Sequence, residues 1–156
     1  MSQEAVVKQV SAPEIPFNSF HKNLLIIVPI AIPGMGKTFY LKYLAKQLHQ
    51  WKIPLTVISS DKIREQEMQR LDSQSSVQLS RQELFDKSRK GATSKFWAAV
   101  KDFVNNTDEL ENGMTVLYID KNHPPNVMKK TAAIVGKDRN LRCLIKVVAL
   151  IPECLH

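Results

Sequence analysis

The chain has 156 residues, about the length of one domain, and its 44% hydrophobic and 24% charged residues argue against a disordered, collagenous or membrane-spanning protein. Lysine and arginine number 22 against 15 acidic residues, a formal charge of +7 that favours polyanionic partners such as nucleic acid or nucleotide phosphates. Two cysteines, Cys143 and Cys154, without a Cys-x-x-Cys pair, exclude a disulfide framework and a zinc knuckle and favour a reduced intracellular chain, nuclear or cytoplasmic.

Residues 1–20 carry Pro13 and Pro16 among scattered polar residues and predict a tail or linker, with residues 21–156 forming the domain. The polar N-terminus lacks the basic-then-apolar layout of a signal peptide. The run from Leu24 to Ile32 is about half the length that a membrane span needs, so no membrane association is expected. Leu24-Leu25-Ile26-Ile27-Val28 instead suits a strand buried on both faces, as in a parallel sheet. Pro33-Gly34-Met35-Gly36 breaks it, and Phe39, Leu41, Leu44 and Leu48 then recur at helical spacing to about Gln50. A second strand is predicted over Pro54–Ser59, and a helix to about Leu71 that Ser60 or Asp61 can cap. Residues 72–79 are Ser- and Gln-rich and predict a loop; helices over 81–90 and 93–105 follow, divided by Gly91, the second burying Phe96, Trp97, Val100 and Phe103. Asn105 to Gly113 reads as a turn cluster, Thr115–Asp120 as a third strand, Pro124 to about Val135 as a helix, and Cys143–Ile151 as a fourth strand. Strands alternating with helices predict an α/β fold, a small and mainly parallel sheet flanked by helices, whose ligands gather at the carboxyl ends of the strands.

Ala31-Ile32-Pro33-Gly34-Met35-Gly36-Lys37-Thr38 nearly fits the phosphate-loop pattern G-x-x-x-x-G-K-[ST], with alanine in the first position. Glycines let successive backbone N–H groups curl around phosphate oxygens, and the helix that starts at Gly36-Lys37 turns its positive end toward the same anion. On this pattern Gly34, Met35, Gly36, Lys37 and Thr38 bind the nucleotide, Lys37 reaches the β- and γ-phosphates, and Thr38 ligates Mg²⁺. Asp120 closes an apolar strand, as does the carboxylate that holds Mg²⁺ in such sites. Asp61, just beyond the second strand, is either a helix cap or the carboxylate that takes the proton of an acceptor hydroxyl. Arg64, one turn later, is either a solvated cation or a ligand for an acceptor phosphate.

Val28-Pro29-Ile30-Ala31 running into Gly34-Met35-Gly36-Lys37-Thr38 resembles the polynucleotide kinase domain of fungal-type tRNA ligases. The Asp-x-x-Arg pair, Asp61 and Arg64, resembles the acceptor motif of P-loop 5′-hydroxyl polynucleotide kinases more widely. Asp120-Lys121-Asn122-His123 is similar to the Asp-Arg-Asn-Asn-His segment of the tRNA ligase domain, shortened by one Asn and with Lys for Arg. The resemblance covers local islands over residues 24–151. It implies a P-loop NTPase fold and transfer of the γ-phosphate of GTP or ATP, with Mg²⁺, to an RNA 5′-hydroxyl end such as a tRNA exon half, in tRNA splicing or RNA repair. It makes Asp61 the general base beside the catalytic Lys37, Arg64 the contact to acceptor phosphate, and Thr38 with Asp120 the magnesium ligands.

Kinases of this kind carry an arginine-bearing lid after the strand that corresponds to residues 143–151, whereas this sequence reaches His156 soon after Ile151. The resemblance therefore implies a domain truncated at its C-terminus and linked to an RNA ligase domain, a lid supplied from elsewhere, or a binder that turns over slowly. A small-molecule P-loop kinase and a non-catalytic nucleotide- or RNA-binding module are the alternatives. Arg81, Lys87, Arg89, Lys90, Lys95 and Lys101 form one basic run, and Lys129, Lys130, Lys137, Arg139 and Arg142 another; either is a candidate track for an RNA strand.

Overall fold

In the computed structural model the described residues are 22–30, 36–106, 113–121, 124–136 and 141–150. β1 (Lys22–Ile30) begins the sheet, and Leu24 to Val28 are all buried because both faces of the strand are covered. α1 (Lys37–Gln50) leads to β2 (Leu55–Ser59), and α2 (Ser60–Gln74) and α3 (Arg81–Asn105) lead to β3 (Met114–Asp120). α4 (Pro124–Val135) then returns the chain to β4 (Leu141–Ala149). All pairings in the sheet are parallel, in the order β2-β3-β1-β4, so the expected α/β class with a small parallel sheet flanked by helices is the observed one. No described helix is long and apolar enough to cross a membrane.

Alternate residues of the strands feed two separate cores. Leu24, Ile26 and Val28 of β1 with Leu117 and Ile119 of β3 pack against Phe96, Val100 and Val104 of α3 and Val127 and Val135 of α4. Leu25 and Ile27 with Val116 and Tyr118 pack against Tyr40 and Leu48 of α1 on the other face. Strand period two requires that division. It also explains why the strands read as unbroken apolar runs rather than as alternating ones. The chain thus leaves β1 toward one face, through α1, and leaves the neighbouring β3 toward the opposite face, through α4. A crevice opens at the carboxyl ends of such a pair, the place where α/β sheets bind ligands.

Three expectations are corrected. The predicted buried stripe of α1 included Phe39, but Phe39 is 57% exposed and Tyr40 takes its place in the core. Steps of about 100° per residue put Phe39 on the side opposite Leu44. Ser59, not Ser60 or Asp61, caps α2, its hydroxyl accepting from the Lys62 N–H at 3.5 Å. The two helices predicted around Gly91 are one helix of 25 residues, opened by a capping box between Ser80 and Glu83.

Gly91 does not break α3 because it serves a close approach. A Cβ there would meet Oε1 of Glu67 at 2.9 Å. Glu67 of α2 is 4% exposed, accepts from Arg70 at 2.6 and 3.1 Å, and is ion-paired to Lys95 of α3. Those hydrogen bonds, from Arg70 first and Lys95 second, hold its carboxyl down at about 2 against the opposing effect of burial. A lowered folded-state value means that the carboxylate stabilises the fold above its ordinary value of 4.5 and loses that contribution as pH falls toward about 2. Glu67→Gln is therefore expected to cost about 1–3 kcal/mol at neutral pH. The gap between wild type and variant in urea unfolding should close on acidification through that window. A gap that stays constant with pH would show that the carboxylate charge does not tie α2 to α3.

Candidate functional site

The candidate site lies at the carboxyl ends of β1 and β3, neighbours in the sheet. Gly36, the residue before α1, has φ 95° and ψ 17°, a left-handed conformation that costs a residue with a Cβ about 1–2 kcal/mol. The glycine next to the lysine in the motif is thus required by the backbone. The first turn of α1 contains no acidic residue of its own. Lys37 is the first residue of that turn, and its Nζ lies 3.5 Å from Oδ1 of Asp120, the last residue of β3. Thr38 follows it, exposed at the same helix end.

Packing beneath the rim aligns this pair. Tyr40, one turn into α1, stacks obliquely on Tyr118 of β3, with ring centroids 6.3 Å apart. Both rings are buried, and Tyr118 lies two residues before Asp120, so the contact fixes the start of α1 against the end of β3. Burial, then the charge of Asp120 and the neighbouring Tyr40, push the Tyr118 phenol well above its ordinary value, which keeps it neutral beside the carboxylate.

The second pair starts from the neighbouring strand. Ser59 at the end of β2 is in register with Asp120, and α2 begins at the next residue. Asp61 therefore stands in the first turn of α2 on the same rim, its side chain 76% exposed and 3.6 Å from Nη1 of Arg64. Since Ser59 supplies the cap, Asp61 has no capping duty. Arg64 is 30% exposed, lies over the Phe85 ring at 4.8 Å, and has a buried Nε without a hydrogen-bond partner among the described residues.

Lys37 and Asp120 are thus brought together, as are Asp61 and Arg64, while no described contact links one pair to the other. Of the remaining sequence candidates, Gly34 and Met35 lie outside the described residues, as do Asn122, His123, Arg139 and the side chain of Arg142. Lys121, next to Asp120, enters the sequence reading only as the Lys-for-Arg position of a resemblance and carries no role there; its ammonium lies 4.9 Å from the centroid of the Phe96 ring. Burial lowers its pKa first, followed by the charges of Arg64 and Lys130, with Asp61 opposing. Its seat over a ring of α3 is an arrangement for which linear spacing carries no signal.

For a divalent cation the described donors are one carboxylate, Asp120, and one exposed hydroxyl, Thr38, and no cluster of three or more metal-binding side chains occurs among the described residues. Such a sparse donor set fits Mg²⁺, which keeps several waters and takes further oxygens from substrate phosphates, and not a metal held in an all-protein cage. Thr38 and Asp120 would hold it.

No protein-family model matches the chain, and no curated protein matches it.

Proposed function

We propose that this protein is a P-loop phosphotransferase that moves the γ-phosphate of GTP or ATP to the 5′-hydroxyl end of RNA. The observation that carries the reading is the Lys37–Asp120 approach at 3.5 Å, at the point where β1 and β3 send the chain to opposite faces. An ammonium at a helix N-terminus, a facing carboxylate and a glycine in a left-handed turn are the parts a triphosphate with magnesium needs. Asp61 and Arg64, rising from the adjacent strand end, supply an acceptor side. The Asp-x-x-Arg and Asp-Lys-Asn-His resemblances favour an RNA end over a small-molecule acceptor.

In this mechanism Lys37 and the backbone N–H groups of the first turn of α1 bind the donor phosphates. Thr38 and Asp120 would hold magnesium, which would supply neutralising charge to the phosphate oxygens. Arg64 donates to a phosphate of the acceptor strand and orients its terminal ribose. Asp61 accepts the proton of the 5′-hydroxyl as that oxygen forms its bond to the γ-phosphorus. The bond from phosphorus to the bridging oxygen breaks, and the nucleoside diphosphate leaves.

The assay is transfer of label from γ-labelled GTP or ATP, with Mg²⁺, to a 5′-hydroxyl oligoribonucleotide. Label is expected on the RNA, with unlabelled oligonucleotide competing better than nucleosides. Better competition by nucleosides would favour the small-molecule kinase, and nucleotide binding without transfer would favour a non-catalytic module.

A further inference from the structure

The basic run predicted along α3 is partly spent within the fold. Lys95 is paired with Glu67, and Arg81 lies 3.5 Å from Glu65. A different set of cations gathers at the rim. Arg64 lies over Phe85, Lys121 over Phe96 at 4.9 Å and Lys130 over Trp97 at 5.2 Å. The last two rings meet edge to face, their centroids 5.1 Å apart, so the lysines of the β3 end and of α4 stand on one continuous aromatic support. Arg64 stands over a ring of the same helix, α3, that carries Phe96 and Trp97. Asp61 lies 3.6 Å from Arg64, and neither lysine makes an ion pair with a described carboxylate.

Like charges brought together repel, and such a cluster persists at a surface when a polyanion is its intended counterion. Each cation is already held by a ring, so less side-chain freedom is lost when a phosphate arrives. The same cations cover ring faces of Phe96 and Trp97, and Phe96 is fully buried. The surface therefore presents charge rather than a stacking platform, which suits backbone contact without base selection. We propose that Arg64, Lys121 and Lys130 form a tract that binds successive backbone phosphates of a single-stranded RNA, leading from the acceptor carboxylate across the start of β3's exit to α4. The inference rests on the phosphotransferase reading for the position of the RNA's 5′ end.

The test uses the full chain and a short fluorescent single-stranded RNA with a 5′-hydroxyl, with affinity read by anisotropy across a salt series. In Lys121→Ala/Lys130→Ala the slope of log affinity against log salt should fall by about 1.4, two contacts at about 0.7 each. A control with the same loss of charge, Lys42→Ala/Lys46→Ala on the opposite face of the sheet, should keep the wild-type slope. Lys121→Arg/Lys130→Arg should also retain it, and, should the double variant not fold, Lys130→Gln alone should lower the slope by about 0.7. Equal slopes for the rim and control variants would overturn the tract, whether or not phosphate is transferred. A rim-specific loss of slope in a protein that transfers no phosphate to this RNA would uphold the tract and overturn the kinase reading.

Discussion

Lys37→Ala is expected to lower phosphoryl transfer by ~10²–10³-fold, the usual cost of removing one donor aimed at developing charge, while barely moving the unfolding midpoint. The Lys37 and Asp120 side chains are 23% and 27% exposed and 3.5 Å apart, a partly solvated pair at a rim. Such pairs contribute about 0–1 kcal/mol to stability, because screening and lost side-chain freedom offset most of their attraction. A double-mutant cycle with Asp120→Asn separates the two roles. Denaturant curves should show coupling below about 1 kcal/mol, whereas the transfer rates should be strongly non-additive because both groups serve the same phosphates. Lost stability with intact transfer would make the pair a structural clasp and remove the basis of the nucleotide site.

Asp61→Ala is expected to lower kcat by ~10²–10⁴-fold, the range for a positioned proton acceptor, with donor-nucleotide affinity retained. The structural cost should be small. Ser59 caps α2, so the substitution removes no cap, and the exposed Asp61–Arg64 pair at 3.6 Å is worth under about 1 kcal/mol. Arg64→Ala should instead act mainly through the KM of the oligonucleotide, since that side chain is assigned to binding. Rapid-quench transfer measurements on folded variants distinguish these outcomes. Wild-type kcat in Asp61→Ala would mean that another group takes the proton, or that the acceptor does not enter from α2.

These tests address parts that were unequally legible in the sequence. The strands stood out because a parallel sheet covered on both faces demands continuous branched apolar runs, and Leu24–Val28 and Val116–Ile119 meet that demand. A glycine inside a helical pattern, as Gly91 is in α3, has two meanings. Only the approach of Glu67 identifies it as space for a neighbour rather than as a stop. Phe39 and Tyr40 are neighbours that both suit a core, and the angular position of each around α1 decides that Tyr40 enters it.

The chemistry of the separate segments follows from local order alone. A strand, a glycine turn and a lysine at a helix start, a carboxylate closing another strand, and an acid and an arginine one turn apart are all properties of neighbouring residues. Their assembly is not local. Lys37 and Asp120 are 83 positions apart, and they meet because β3 inserts between β1 and β2 while α1 and α4 leave for opposite faces. The cations around Lys121 likewise come from α2, the end of β3 and α4, joined through aromatic rings of α3. Strand order is set by which apolar faces can be buried together across the whole chain, a global balance of packing that no spacing rule within one segment contains.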